Sequence, residues 1–188
     1  MGKIMVETCE IEGLKIITPT VFGDARGYFV ETYQYNDFKE AGIDRIFVQD
    51  NQSSSVKNVL RGLHFQIQYP QAKLVRVIAG EVYDVAVDLR PGSETYGKWH
   101  GVLLSAENKK QFFVPEGFAH GFVVLSDYAE FTYKCSDFYH PGDEGGLKYD
   151  DPDIGIQWPI APGTELIMSD KDKKWPGIKE YTESRENG

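Results

Sequence analysis

The chain has 188 residues, of which 41% are hydrophobic and 13% aromatic, and its formal net charge is −9 at pH 7. This composition allows a sizeable core, and no stretch approaches the roughly 20 apolar residues that span a bilayer. Nucleic acid and anionic membrane surfaces repel an acidic protein, so we expect neither of them as a partner.

Alternation of apolar and polar residues predicts short β-strands along most of the chain. In chain order, we expect the first strand at residues 27–32 and a short helix at residues 37–41 that ends at Gly42. Residues 75–77 and 82–89 flank a tight turn and are expected to form a hairpin. Later strands are expected at residues 101–104, 111–114, 122–125 and 129–134, with a second short helix at residues 105–108.

This pattern is typical of an all-β fold. Many short strands at even spacing, punctuated by turn residues, predict a sandwich or barrel with a few short helices. No internal linker interrupts the pattern, so we expect residues 1–188 to form a single domain. The charged tail is expected to be frayed from about residue 177.

The N-terminus and the cysteines predict a cytoplasmic location. The first residues contain no apolar run before a small-residue cleavage site, and Val6 occupies the position where a myristoylation motif needs Ser or Thr. Cys9 and Cys135 have neither the spacing of a metal site nor the density of a secreted disulfide scaffold. We therefore expect two structural thiols in a reducing compartment.

Arg61 and His64 stand three residues apart around Gly62, between two β-like segments. In a regular strand these side chains would project to opposite faces, unless Gly62 introduces a bulge that re-aims one of them. From the local sequence alone, a hydrogen-bonded core histidine beside a surface arginine is the simpler alternative.

A second histidine follows a tight turn, in the pattern Pro115-x-Gly117-x-x-His120. This segment resembles the second half-signature of the cupin jelly roll, in which the histidine points into the barrel. Metal-binding cupins also carry His-x-His followed by Glu on earlier strands, whereas His64 is followed by Phe65 and Gln66. We therefore expect a pocket without a metal ion, with two unrelated buried histidines as the alternative.

The chain resembles the dTDP-4-dehydrorhamnose 3,5-epimerase family over roughly residues 8 to 176. The resemblance is carried by several motifs in the order of that family, and together they are highly specific. These are Phe22-Gly-Asp-Ala-Arg26-Gly-Tyr-Phe29-Val-Glu31, Val48-Gln49-Asp-Asn51, Leu60-Arg-Gly-Leu-His64, Lys73-Leu-Val-Arg76, Gly80-Glu-Val-Tyr-Asp84, Pro115-Glu-Gly-Phe-Ala-His120, Phe131-Thr-Tyr133 and Ser169-Asp-Lys-Asp172.

The resemblance implies a cupin jelly-roll homodimer that epimerises carbons 3 and 5 of dTDP-4-keto-6-deoxyglucose without a cofactor. His64 would be the base, and Asp172, not its neighbour Asp170, would hold the imidazole tautomer. Lys73 would stabilise the enolate and Tyr133 would donate a proton to the opposite face of the sugar. Asp84 and His120 would orient the substrate or these groups.

By the same resemblance, a further set of residues would hold the nucleoside diphosphate. Arginine guanidinium groups suit diphosphate oxygens, and aromatic rings suit the base. His100 and His140 match no position in the family's motifs and are expected to be solvated loop histidines. The expected nucleotide contacts are Arg26, Gln49, Asn51 and Arg61, with Phe29 and Tyr139 stacking over the nucleotide and Glu31 near the base.

Three alternatives stay open at this stage. The chain could invert only one carbon of a related nucleotide sugar, because that outcome depends on the fine placement of Tyr133. It could also be a catalytically silent cupin that binds sugar nucleotides, although binding alone needs no acid and base on opposed faces. A metal-dependent cupin oxygenase is the third alternative, disfavoured by the missing ligand spacing.

Overall fold

The computed structural model describes residues 4–186. Short helices are α1 (Tyr35–Glu40), a 3-10 helix (Asp172–Lys174) and α2 (Ile178–Glu186). The strands are β1 (Ile4–Thr8), β2 (Lys15–Pro19), β3 (Val21–Asp24), β4 (Gly27–Val30), β5 (Gln49–Val56), β6 (Leu60–Gln66), β7 (Lys73–Ala79), β8 (Glu81–Asp88), β9 (Trp99–Ser105), β10 (Gln111–Val114), β11 (Phe118–Val124), β12 (Tyr128–Cys135) and β13 (Glu144–Gly146).

Two sheets form the body of the molecule, as the all-β prediction requires. The larger sheet has the strand order β1-β2-β10-β7-β12-β5, and the smaller has the order β13-β6-β11-β8-β9. Buried apolar side chains from both sheets pack in one core, including Phe112 and Phe131 from the larger sheet and Val82 and Phe122 from the smaller. Each such side chain stabilises the fold by roughly 1.5–3 kcal/mol relative to an exposed one.

The predicted hairpin at residues 75–89 is wrong. Strand β7 pairs with β10 and β12, whereas β8 pairs with β9 and β11, so the turn at Gly80 carries the chain from one sheet to the other. Gly80 has a φ of 72°, and a Cβ there would lie 1.9 Å from the carbonyl oxygen of Tyr128. Period-two alternation identifies each strand but does not identify its partner, which is a tertiary property.

The predictions for the helical segments had mixed outcomes. The helix expected at residues 37–41 is confirmed as α1, whose first N–H groups are capped by the side chain of Gln34. The short helix expected at residues 105–108 is wrong, because residues 106–108 form a turn. In that turn the Asn108 side-chain oxygen accepts the N–H of Ser105 at 3.1 Å.

The tail also differs from the predicted frayed segment. Helix α2 packs on the outer face of the smaller sheet, where Ile178 joins a buried cluster with Phe65 and the Tyr181 ring lies 5.1 Å from the Phe65 ring. The carboxylate of Asp151 accepts the N–H of Ile178 at 2.6 Å, which satisfies a donor at the start of this helix. Within residues 4–186, no helix is long and apolar enough to cross a membrane.

Candidate active site

A cavity of about 420 Å³ lies between the two sheets. Its two walls come from different sheets, because His64 and His120 belong to β6 and β11 whereas Lys73 and Tyr133 belong to β7 and β12. The 3-10 helix adds Asp172 at one side. The residues of the predicted site that line the cavity are Arg61, His64, Lys73, His120, Tyr133 and Asp172.

A bulge in β6 explains how Arg61 and His64 reach the same cavity. His120 pairs with His64 and Phe122 pairs with Arg61, so three steps along β6 oppose two steps along β11. The extra residue cancels the alternation that would otherwise separate the two side chains. Gly62, at the bulge, has a φ of 123°, and a Cβ there would lie 2.5 Å from Gly121 Cα. The structure therefore contains the bulge that the sequence left open, and not the simpler pair of a core histidine and a surface arginine.

His64 and Asp172 form a hydrogen-bonded pair at the cavity wall. The His64 Nε2 and Asp172 Oδ1 atoms are 2.6 Å apart, with side-chain exposures of 30% and 4%. Burial alone would raise the pKa of Asp172, but the hydrogen bond and charge of His64, the Gly62 N–H and Ser169 together lower it. A carboxylate at this position accepts a hydrogen bond from the Nε2–H group of His64. The lone pair on Nδ1 is therefore free to act as a base. Asp170 is solvated, with its side chain 93% exposed.

His120 and Asp84 form a second pair, which is more deeply buried than the first. The His120 Nε2 atom lies 2.8 Å and 3.0 Å from the two carboxylate oxygens of Asp84, and Asp84 is fully buried. Burial raises the pKa of Asp84, against the opposing effects of His120 and Lys73. Burial disfavours the charged form of Lys73 as well, and for an ammonium this lowers the pKa. The ammonium is thereby a stronger hydrogen-bond donor.

Tyr133 faces the base from the opposite wall. Burial raises the pKa of the Tyr133 phenol, so the hydroxyl stays protonated at neutral pH. Two neighbours on β12, Phe131 and Cys135, share its face, and the Phe131 ring lies 5.9 Å from the Tyr133 ring. A base and an acid therefore stand on opposed sides of one cavity.

Gln49 and Asn51 lie on the same face of the larger sheet as Tyr133, although neither of them lines the cavity. They alternate along β5 with the same period as Tyr133 and Cys135 on the paired strand β12. The Gln49 amide donates to Asn51 Oδ1 at 3.2 Å, and the Gln49 Oε1 accepts the N–H of Tyr139 at 2.9 Å. The structure thus brings Tyr139 to the same side as the two predicted nucleotide contacts, with its side chain largely exposed.

Arg26, Phe29 and Glu31 are not brought to the cavity of their own chain. Strands β3 and β4 form a separate two-stranded sheet, and none of these three residues lines the cavity that contains His64. Phe29 is 58% exposed, and Arg26 pairs only with Asp24 among the described residues. The nucleotide contacts expected of these three residues therefore stay a prediction.

The structure adds residues that the sequence did not single out. Lys171 lines the cavity and pairs with Glu144 at 2.5 Å, and Trp175 packs 6.3 Å from the His64 ring. Lys171 lies inside the Ser169–Asp172 motif, so its position next to Asp172 could have predicted that it lies close to the site. The expected loop position of His100 is wrong, because it lies half-buried on β9. His140 does lie in a loop, but its ring stacks on Tyr69.

Within residues 4–186, no three His, Cys, Asp or Glu side chains are grouped so that they could hold a metal ion. The chemistry expected of the cavity needs only a base, a cation and an acid, which the predicted residues supply. The absence of a cofactor stays a prediction, and activity that survives exhaustive chelation would support it.

Comparison with known proteins gives consistent matches. The model of the family described as dTDP-4-dehydrorhamnose 3,5-epimerase matches residues 8–180. The dTDP-4-dehydrorhamnose 3,5-epimerase of Methanothermobacter thermautotrophicus is 56% identical over 170 residues, which cover 90% of this chain and 92% of that protein.

Solved structures extend the similarity to the fold. A dTDP-6-deoxy-D-glucose-3,5-epimerase from Legionella pneumophila Philadelphia 1, in complex with dTDP-4-keto-L-rhamnose, has a TM-score of 0.90 and 51% identity, covering 94% of this chain and 93% of that chain. A 3'-monoepimerase from Streptomyces bikiniensis, in complex with dTDP, has a TM-score of 0.89 and 32% identity, covering 95% and 90%. The predicted cupin jelly roll is confirmed by these neighbours.

Proposed function

The chain belongs to the dTDP-4-dehydrorhamnose 3,5-epimerase family, and on this premise we propose how its cavity performs the reaction. The enzyme epimerises dTDP-4-dehydro-6-deoxy-D-glucose at carbons 3 and 5, giving dTDP-4-dehydro-L-rhamnose, in dTDP-L-rhamnose biosynthesis. The 3,5-epimerase of Methanothermobacter thermautotrophicus is 56% identical to this chain and the monoepimerase is 32% identical, which supports inversion of both carbons over inversion of one.

Proton removal is assigned to His64. The ketone at carbon 4 acidifies the hydrogens on carbons 3 and 5, so one base that reaches either carbon generates an enolate. The hydrogen bond to Asp172 occupies Nε2 of His64, which leaves Nδ1 to accept the proton. Asp172 then stabilises the imidazolium that forms, because its lowered pKa keeps it a carboxylate.

The enolate oxygen at carbon 4 needs a positive partner, and Lys73 is the cation on the cavity wall that we assign to it. Burial lowers the pKa of Lys73, which makes its ammonium a more acidic hydrogen-bond donor to that oxygen. The carboxylate of Asp84 opposes this lowering and so favours the charged form of Lys73. The buried pair of Asp84 and His120 thus supports the enolate indirectly.

Inversion requires a proton donor on the face opposite the base, and we assign this role to Tyr133. His64 and Tyr133 project from different sheets into one cavity, and this opposition is the observation that carries the proposal. The enolate carbon takes the phenolic proton, the phenolate recovers a proton from solvent, and His64 releases its proton to solvent. A binding protein without catalysis would need neither this opposition nor the carboxylate behind His64.

The Tyr133→Phe variant tests this assignment. The base can still form the enolate and return a solvent-derived proton to the same face, so deuterium should enter carbons 3 and 5 with little epimer formed. Proton NMR of the substrate in heavy water measures exchange and epimerisation in one sample. Tyr128→Phe is the matched control, because Tyr128 is exposed on the same strand and its hydroxyl donates to the carboxylate of Glu130, outside the cavity. A wild-type ratio in Tyr133→Phe would exclude Tyr133 as the acid.

The nucleoside diphosphate is assigned to Arg61, Gln49, Asn51 and Tyr139 of one chain. Arg61 reaches Ser55 Oγ through Nε at 3.2 Å and keeps donors free for diphosphate oxygens. We further propose that Arg26, Phe29 and Glu31 contact the nucleotide of a second copy in a homodimer. Their hairpin lies apart from the cavity of its own chain and exposes apolar rings, which suits docking on a partner.

A mixing experiment tests the shared site. Arg26→Ala and His64→Asn chains should each be weakly active alone, because every site carries one defect. If the hairpin serves the partner, subunit exchange produces mixed dimers in which one of two sites is intact, and activity rises toward about a quarter of wild type. No gain on mixing, with dimer exchange verified by mass, would place Arg26 in its own chain's site.

The remaining expectations are part of the same proposal. Cys9 and Cys135 are both free thiols, which supports a reducing cytoplasmic compartment. The residues assigned to one chain's site extend from Gln49 to Asp172 and involve both sheets, which supports action as one domain. The oxygenase alternative lacks support, because the donors on the cavity wall suit proton transfer.

A further inference from the structure

Gln66 is a buried polar residue at the end of β6 that the proposed mechanism does not use. It follows His64 by two positions on β6, so both side chains lie on the same face of the strand. Gln66 is 8% exposed, and its amide Nε2 donates to the carbonyls of Tyr69 at 2.7 Å and Phe138 at 3.2 Å. Its Oε1 accepts the N–H of His140 at 2.8 Å.

These bonds join two loops into one unit. Residues 67–72 connect β6 to β7, and residues 136–143 connect β12 to β13. The Tyr69 and His140 rings stack with centroids 3.9 Å apart, and the Asp143 carboxylate accepts the N–H of Gln68 at 2.9 Å and that of Tyr69 at 3.0 Å. We name this unit, residues 67–72 with 136–143, the mouth loops.

The main chain around Tyr139 is held from both sheets. Gln66, on the smaller sheet, binds the peptide groups on either side of Tyr139 through Phe138 O and His140 N. Gln49, on the larger sheet, accepts the N–H of Tyr139 itself. The Tyr139 ring nevertheless stays 49% exposed. A fixed main chain that carries a free aromatic ring is the arrangement expected of a preorganised ligand contact.

We propose that Gln66 is a positioning residue that holds Tyr139 over the cavity mouth for the nucleotide end of the substrate. Only a primary amide of this length donates to two carbonyls and accepts an N–H at once. Because Gln66 lies on the strand of His64, it also fixes the distance between the nucleotide contact and the base. This inference rests on the proposed nucleotide role of Tyr139.

The Gln66→Met variant keeps the length of the side chain and removes its amide. The three main-chain groups then lose their partners, and the mouth loops spend part of their time open. We expect KM for the sugar nucleotide and Kd for dTDP to rise about tenfold, with kcat within about twofold of wild type. Gln66→Glu should not restore affinity, because a carboxylate retains no donor for the two carbonyls.

Ser126→Ala is the matched control for a general loss of stability. The Ser126 hydroxyl also joins two turns through main-chain groups, accepting the N–H of Glu81 at 2.8 Å and donating to Tyr128 O at 2.7 Å. These turns lie at the other end of the strands that carry Lys73 and Tyr133. Ser126→Ala should lower Tm and leave KM and Kd unchanged. A rise in Kd equal to that of Gln66→Met would overturn the positioning role.

Hydrogen exchange of residues 137–141, followed by mass spectrometry without ligand, separates this inference from the role of Tyr139. We expect faster exchange in Gln66→Met than in wild type or Ser126→Ala, and weaker dTDP binding in Tyr139→Ala with no further loss in the double variant. Unchanged exchange, or unchanged dTDP affinity in Gln66→Met alone, overturns the positioning role. Unchanged affinity in Tyr139→Ala despite faster exchange in Gln66→Met overturns the nucleotide role of Tyr139, and the positioning role falls with it.

Discussion

Two histidines on neighbouring strands line the same cavity, and each is paired with an aspartate, yet the surroundings of the two pairs differ. His64 and His120 are register partners on β6 and β11, and each hydrogen-bonds a carboxylate through Nε2. The His64 side chain is 30% exposed, whereas the His120 side chain is 8% exposed. The pKa of Asp172 is lowered and that of Asp84 is raised, both with burial acting upward.

This contrast shows that the hydrogen-bond partners of a buried carboxylate, and not the residue types of the pair, decide whether its pKa is lowered or raised. The Asp172 carboxylate accepts the N–H of Gly62 and is also hydrogen-bonded by His64 and Ser169. Together these interactions lower its pKa by more than burial raises it. Asp84 has His120 and the more distant charge of Lys73, and burial prevails. The pair of His64 and Asp172 is suited to exchange protons with a substrate. The pair of His120 and Asp84 is suited to stabilise the charge of Lys73 and the packing of β11 against β8.

The largest expected effect comes from exchanging the two histidines for asparagine one at a time. His64→Asn should lower kcat about 1000-fold, because general-base catalysis contributes about 10²–10⁴-fold, and it should abolish solvent exchange at carbons 3 and 5. His120→Asn should cost only about tenfold and retain exchange, because it acts through its neighbours. Initial rates and proton NMR in heavy water measure both. Equal losses would erase the distinction between the pairs.

Stability should show the reverse order. Asp84→Ala leaves His120 and Lys73 without their buried partner, and we expect the free energy of unfolding to fall by about 3 kcal/mol. Asp172→Ala removes a carboxylate beside a cavity that water can enter, and we expect a loss of about 1 kcal/mol. Urea unfolding with a common m-value measures both differences. A larger loss for Asp172→Ala would contradict the assignment of Asp84 to the structure.

The sequence could predict the strands and the pairing of His64 with Asp172 for different reasons. Alternation predicts single strands such as β10 and β12, but the partner of β7 depended on a crossover at Gly80 that no local pattern encodes. The choice of Asp172 over Asp170 came from motif resemblance, and the 3-10 helix turns Asp172 inward. The motif that contains Arg26 and Phe29 does not state which chain's site it serves, because that depends on how two copies of the chain assemble.

Gln66 was passed over for a physical reason. A glutamine that follows His64-Phe65 has no charge and belongs to no recognised pattern, so nothing local distinguishes a surface amide from a buried one. Its role depends on three main-chain groups, and the most distant is 74 residues away in the chain. Contacts of that kind depend on how the two loops fold over the end of β6, and the local sequence around Gln66 does not encode that arrangement.

The smallest expected effect is also the most direct test of the contrast between the carboxylates, because it gives opposite slopes against pH. For Asp172 the folded pKa lies below the ordinary 3.8, so its stabilising contribution is present above 3.8 and is lost as pH falls through the folded pKa. For Asp84 the folded pKa lies above 3.8, so the contribution is present below 3.8 and is lost as pH rises through the folded pKa. The free energy of unfolding of wild type minus that of Asp172→Asn should therefore shrink in acid, whereas the same difference for Asp84→Asn should grow. Urea unfolding at several pH values from 7 downward measures both curves. Parallel curves would mean that the two carboxylates share one electrostatic environment, and the division of labour between the two pairs would have to be abandoned.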